Sequence, residues 1–176
     1  MSLDFNESIQ FESYEAKPKI TGVWLRKLAK FRSLEGSFME CMRLTGGLLE
    51  GDIETSFEPR QISLSWAEPN RINAFHIHPK QRQDELWCVV QGGLMIWLVD
   101  LRADSESRGI RQRVFLSGEE PTWLYIPTGV AHGYRASQSG ATLMYATNNQ
   151  FNWQDPNEGR LPYDHFGKEL WDDNRG

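Results

Sequence analysis

From residue 53 onward the chain alternates apolar and polar positions in short runs. Ile53, Thr55 and Phe57 alternate with Glu54 and Ser56, and Gln61-Ile62-Ser63-Leu64-Ser65-Trp66 is apolar at every second position. That is the period of a half-buried strand. Pro69-Asn70 reads as a turn, and Ile72 to His78 as the next strand. Leu86 to Val90 is continuously apolar but too short for a typical helix. Gln91-Gly92-Gly93 reads as a turn and Leu94 to Leu101 as its return strand, so the pair predicts a hairpin. Arg111 to Leu116, Trp123 to Ile126, Gly133 to Ala136 and Thr142 to Ala146 complete the series. Arg102 to Gly109, Gly118 to Pro121 and Ser137 to Gly140 are the connections. Upstream, Trp24, Leu28 and Phe31 lie among Arg26, Lys27, Lys30 and Arg32; a short amphipathic helix and a basic edge strand both fit.

Many short strands with no long helical pattern predict an all-β sandwich or barrel. No repeat or linker divides the chain, so one domain is expected. Residues 1–32 would form an N-terminal arm, 33–147 the core and 148–176 a loop-rich tail packed by Phe151, Trp153, Tyr163, Phe166 and Trp171. The length of 176 residues suits one real core, and 12% aromatic content favours strands. The net charge of −5 argues against a nucleic-acid binder but permits an anionic small ligand held by local arginines. Cys41 and Cys88 form neither a disulfide framework nor a metal-type pair. No apolar run reaches the roughly 20 residues that span a bilayer. The polar N-terminus is unlike a signal peptide. A cytoplasmic protein without membrane or nucleic-acid partners is expected.

Chemistry concentrates in the histidines. His76 and His78 stand at i and i+2, so in a strand they share a face. Glu85 follows seven residues later, and His132 closes Pro127-Thr128-Gly129-Val130-Ala131-His132. Imidazoles and a carboxylate suit a divalent first-row ion such as Fe, Mn, Ni or Zn, with His76, His78, Glu85 and His132 as ligands. Alternatively His76 is a general base near neutral pH and Tyr145 an acid or oxyanion donor. His165 reads as a packing or surface residue.

These spacings resemble the two cupin signatures, with six residues between Glu85 and Gly92 and the P-x-G-x-x-H of Pro127, Gly129 and His132. The fold so implied is a double-stranded β-helix, or jelly roll. The spacer between His78 and Glu85 is longer than the common form, and Ala136 stands where an asparagine often follows.

Within the cupins, residues 33–171 resemble the dTDP-4-dehydrorhamnose 3,5-epimerase family. The resemblance lies in Gly36-Ser37-Phe38-Met39-Glu40, Gln61, Val99-Asp100-Leu101-Arg102 with Ser105 and Gly109, Ile126-Pro127, Ala131-His132-Gly133-Tyr134, Met144-Tyr145, Glu158-Gly159, Asp164 and Trp171. It implies a homodimer with exchanged N-terminal strands and proton abstraction by His76 beside a 4-keto group, with Tyr145 as the acid. It places Phe38 and Glu40 near a nucleotide base and His132 in the same pocket, with Gln61 also on the substrate side. No cofactor is needed if that chemistry is retained unchanged.

Four positions depart from the family. Glu35 and Asn73 stand where it carries arginines, and Glu85 where it carries an enolate-stabilising lysine. The aspartate that orients the catalytic histidine would fall beyond residue 176, so that partner is missing unless another carboxylate replaces it. Three readings follow. The first is an epimerase or isomerase on a keto sugar or related α-acidic carbonyl, other than the standard dTDP-sugar. The second is a metal-dependent dioxygenase or lyase, and the third a non-catalytic sugar-binding cupin.

Overall fold

A computed structural model describes residues 16–51 and 55–172. The first strands among the described residues are β1 (Trp24–Lys27), β2 (Lys30–Ser33), β3 (Gly36–Met39), β4 (Leu44–Thr45) and β5 (Leu48–Leu49). The body is built from β6 (Gln61–Ala67), β7 (Ile72–Ile77), β8 (Glu85–Asp100), β9 (Arg111–Ser117), β10 (Thr122–Ile126) and β11 (Val130–Thr147). A short β12 (Gly159–Arg160) and a 3-10 turn (Lys168–Trp171) close the chain.

Two long strands organise the molecule. The first half of β8 and the second half of β11 lie in one sheet, in the order β6–β11–β8–β10–β1. Their other halves lie in a second sheet, in the order β9–β8–β11–β7–β12. The expected all-β cupin jelly roll is therefore the observed fold.

The expected hairpin at Gln91-Gly92-Gly93 is not: Glu85 to Asp100 is one strand, and so is Val130 to Thr147. The glycines are bends where each strand passes from sheet to sheet. Gly92 and Gly140 both have positive φ, 71° and 72°. A Cβ on Gly92 would sit 2.1 Å from the Gly140 carbonyl oxygen, so the crossing admits no side chain. The pairing of β8 with β11 slips at the same level, between Ala136 and Ala141.

Why Leu86 to Val89 is continuously apolar now follows, while Val90 is left exposed. Trp87 and Val89 face the interior with Leu94, Ile96, Leu98, Leu124 and Leu143. Leu86 and Cys88 face outward, under Trp24, Leu49, Phe57 and Trp123. On the second sheet, Phe75, Val99 and Ala131 face outward beneath Trp171, Phe166 and Leu161 of the tail. Strands covered on both faces need apolar residues at every position. Each such buried side chain stabilises the fold by about 1.5–3 kcal/mol.

The expected boundary at residue 32 is crossed by the core. β1 pairs with β10, and Ile20 and Trp24 are buried. Trp24 to Lys27 is thus an edge strand, not a helix. Residues 1–15 of the expected arm, and Ile53-Glu54 of the first expected strand, lie outside the described residues; Thr55 to Phe57 carry no strand assignment. β6 has the expected alternation with its faces reversed. Ile62, Leu64 and Trp66 are exposed, while Gln61 and Ser65 point to the interior cavity. No helix among the described residues is long and apolar enough to cross a membrane.

Candidate active site

Five strands converge on one end of the interior. β7 supplies His76, β11 supplies His132 and Tyr145, β8 supplies Glu85 and Trp87, and β6 supplies Gln61 and Ser65. β12 pairs Arg160 with His76, which brings Glu158 alongside. Together they enclose a cavity of about 330 Å³.

The P-x-G-x-x-H segment is tied to the start of β8 by the buried Asp84. Its carboxylate accepts from the Thr128 backbone N–H and hydroxyl, both at 2.9 Å, and from the Asn148 amide at 3.0 Å. Burial alone would raise the Asp84 pKa, but these donors and Arg82 hold it below the usual carboxylate range. This knot fixes His132 relative to Glu85.

His76 is flanked by two acceptors. Its Nδ1 lies 3.3 Å from Glu158 Oε1, and its Nε2 lies 2.9 Å from Asn73 Oδ1. The ring stacks over His132 with centroids 5.9 Å apart. Burial, then His132 and Arg160, push its pKa down to about 4 against the pull of Glu158 and Glu85. A neutral imidazole beside a carboxylate can take a proton, and the imidazolium so formed would find an acceptor at each nitrogen. Glu158 thus stands where a replacement carboxylate of the kind the sequence left open would have to be. The family pattern puts that partner beyond Trp171, whereas Glu158 precedes Trp171 and lies immediately before β12.

The expected four-ligand set does not assemble. His78, Glu85 and His132 bring ligand atoms within 4.8 Å of one another, and His76 is not among them. Its ring nitrogens are turned to Asn73 and Glu158 instead. Glu85 is buried, and its Oε1 lies 2.7 Å from His78 Nε2. Its Oε2 accepts from Trp87 Nε1 at 2.6 Å and lies 3.6 Å from His132 Nε2. Burial opposes ionisation of Glu85, yet His132, His78 and Trp87 hold its pKa at about 2. For His78, burial works downward but the Glu85 carboxylate wins and raises the pKa. Burial lowers that of His132.

Gln61 lines the cavity, donates to Ser63 Oγ at 3.1 Å and accepts from the Phe151 N–H at 2.8 Å. Phe38 and Glu40 do not reach the cavity of their own chain. Phe38 is 66% exposed on β3, and Glu40 pairs with Arg43 at 2.7 Å. His165 packs edge-on against Phe166, outside the cavity. Cys88 is buried, which pushes its thiol up to about 12. Sequence reasoning did not single out Gln83 and Asn157, which support His78 and Glu85. Polar residues with no spacing signature gave no sign of that role.

The family model for dTDP-4-dehydrorhamnose 3,5-epimerase matches residues 17–165. The chain is 38% identical over 146 residues to the spore coat polysaccharide biosynthesis protein SpsL of Bacillus subtilis, covering 82% of this chain and 91% of that one. It is 28% identical to the probable low-salt glycan biosynthesis epimerase Agl13 of Haloferax volcanii, over 84% of this chain and 90% of that one. Among solved structures, the 3'-monoepimerase ChmJ of Streptomyces bikiniensis in complex with dTDP-quinovose superposes with a TM-score of 0.73 at 20% identity, covering 91% of this chain and 80% of that one. This last likeness concerns the fold alone. Motif, cavity and family model agree: the chain belongs to the dTDP-4-dehydrorhamnose 3,5-epimerase family.

Proposed function

We propose that the protein is an epimerase of a keto sugar, and that His76, backed by Glu158, removes a proton from a carbon beside the carbonyl. The observation that carries this reading is the His76–Glu158 contact of 3.3 Å at the wall of a cavity also lined by Tyr145. Loss of that proton leaves an enolate. Tyr145 returns a proton to the opposite face of the same carbon, which inverts it, and His76 passes the abstracted proton to solvent. Gln61 and His132 contact the sugar.

The cavity disfavours a diphosphate near the reacting carbon. Among the described residues its lining contains Glu85 and Glu158 but no lysine or arginine. The charged portion of an activated sugar therefore lies outside it, and the substrate is a keto sugar other than the standard dTDP-linked one. Proton NMR of candidate keto sugars incubated with the protein tests this. Inversion at a ring carbon by the wild type, reduced about 10²-fold or more in Tyr145→Phe, is expected. No inversion of any keto sugar by correctly folded protein would contradict the reading.

The functional unit is a homodimer on this reading. Phe31, Leu34 and Phe38 are exposed on the β2–β3 hairpin, and Ile62, Leu64 and Trp66 on β6. An exchanged hairpin would carry Phe38 and Glu40 toward the other protomer's substrate.

A further inference from the structure

Arg160 stands beside the base without lining the cavity. β12 pairs Arg160 with His76 in register, and cross-strand partners present their side chains to the same face. The guanidinium holds both neighbours of the imidazole. Its Nε and Nη2 reach Glu158 Oε1 at 3.0 and 2.9 Å, and its Nη1 donates to Asn73 Oδ1 at 3.2 Å. Asn73 and Glu158 both line the cavity, whereas the Arg160 side chain is 59% exposed at its rim.

This clamp fixes the hydrogen on His76. Asn73 Oδ1 accepts from Arg160, while the Asn73 amide nitrogen donates to Tyr134 Oη at 3.3 Å. An oxygen so placed, 2.9 Å from His76 Nε2, accepts from that nitrogen too. The neutral ring therefore carries its hydrogen on Nε2. The lone pair is left on Nδ1, facing a carboxylate oxygen already engaged by two guanidinium nitrogens. The 3.3 Å separation there is the longest of the three on that oxygen. Neither ring nitrogen is thus free to take a proton from carbon, which needs a lone pair within hydrogen-bond reach. The opposite tautomer serves. Its Nδ1–H donates to Glu158 and its lone pair lies on Nε2. Asn73 Oδ1, kept against Nε2 by Arg160, excludes it.

The clamp is easily opened. An ion pair between side chains 59% and 34% exposed is weak. A phosphate group offers a guanidinium two parallel charge-assisted hydrogen bonds in its place. On the proposed function the charged portion of an activated sugar lies outside the cavity, on the side to which Arg160 is exposed.

We propose that Arg160 is a latch on the base, opened by a phosphate group carried on the sugar. The phosphate takes the guanidinium from Glu158 and Asn73. His76 then passes to the tautomer with hydrogen on Nδ1, held by Glu158, and its lone pair on Nε2. Abstraction proceeds on a sugar that brings its own phosphate, so Arg160 is a positioning and specificity-determining residue. The link to abstraction rests on the proposed epimerisation; the latch itself does not.

The test is nitrogen NMR at neutral pH of protein labelled in its histidines, in which the two imidazole tautomers give distinct shifts. His76→Asn identifies the His76 signals, and inorganic pyrophosphate is the probe. The latch predicts Nε2–H in the wild type alone and Nδ1–H at saturating pyrophosphate. Arg160→Met, with an unchanged circular dichroism spectrum, should show Nδ1–H from the start and bind pyrophosphate about tenfold more weakly or worse by calorimetry. A wild type that starts as Nδ1–H, that stays Nε2–H with pyrophosphate bound, or that binds it no better than Arg160→Met overturns the latch. Solvent-deuterium exchange into a phosphate-free keto sugar is measured on the same samples. A maximal rate that rises about tenfold or more with pyrophosphate in the wild type, and is independent of it in Arg160→Met, supports the link to abstraction. A wild-type rate indifferent to pyrophosphate overturns that link. With a phosphate-bearing keto sugar, added pyrophosphate should compete and slow exchange; acceleration there overturns the substrate-borne phosphate in favour of a free one. Absence of exchange in every sample contradicts the epimerase reading, while the NMR and calorimetry still decide the latch.

Discussion

Asp100 shows what a family-signature motif can mean at the level of single residues. Its side chain is fully buried at the end of β8. It accepts from Arg102 Nε and Nη2 at 2.9 and 2.7 Å, and from the Ser105 and Ser107 hydroxyls at 2.6 and 2.7 Å. Burial alone would raise its pKa, but these donors hold it well below the usual carboxylate range. The native state therefore binds this proton more weakly than the unfolded chain does. The stabilisation is complete above the ordinary carboxylate pKa of about 4 and is lost as pH falls through the lower native value. Asp100→Asn should cost about 2–3 kcal/mol at pH 7, with the difference from wild type narrowing at pH 3; urea unfolding at both pH values measures it. The Val99-Asp100-Leu101-Arg102 run was legible as a family signature, but its structural role was not. The same holds at the cavity. His76, His132 and Tyr145 were readable with their roles from spacing and resemblance, whereas Glu158 was readable only as part of the resemblance and not as the partner of His76. Its position beside His76 depends on a two-residue strand pairing, Gly159 with Ile77 and Arg160 with His76, 82 and 84 residues apart in sequence, which no local pattern encodes.

Among the elements, the long strands were the harder to read. A glycine pair within an apolar run has the composition of a turn, and Gly92 and Gly140 were read as such. Only the pairing of β8 with β11 along both halves shows that they mark a bend. A Cβ at Gly140 would lie 2.6 Å from the Ala67 carbonyl oxygen, and its φ of 72° suits glycine. Gly140→Ala should cost about 1–3 kcal/mol, seen as a lower urea midpoint with an unchanged slope. The tail was read as packed by five aromatics; Phe166 and Trp171 do pack, whereas Phe151, Trp153 and Tyr163 are exposed. Trp171 is buried against Phe75 and its indole N–H donates to the Tyr163 carbonyl at 2.8 Å. Phe75 precedes His76, so the tail secures the strand that carries the base. Trp171→Ala should cost about 3–5 kcal/mol in the same measurement.

For the whole molecule, β6 is the informative contradiction. Period-two alternation gives a strand's faces but not which one is inward. Here the polar face turns in because the jelly roll keeps one end of its interior as a cavity. The apolar face of Ile62, Leu64 and Trp66 is left outside, at 56%, 52% and 72% exposure. In the proposed homodimer a second copy would cover that face. Light scattering after size exclusion should give twice the chain mass for the wild type and a shift toward one chain mass for Trp66→Glu. A wild type that stays monomeric at micromolar concentration would contradict the dimer.

The claim on which the functional account depends is that His76, backed by Glu158, takes a proton from carbon. Its most direct measurement is the rate at which deuterium from heavy water enters a keto-sugar substrate at the carbon beside the carbonyl. The account predicts incorporation by the wild type, a fall of about 10²-fold or more in Glu158→Gln, and a greater fall in His76→Asn, with the fold intact in each. Deuterium uptake at the wild-type rate in His76→Asn would contradict it.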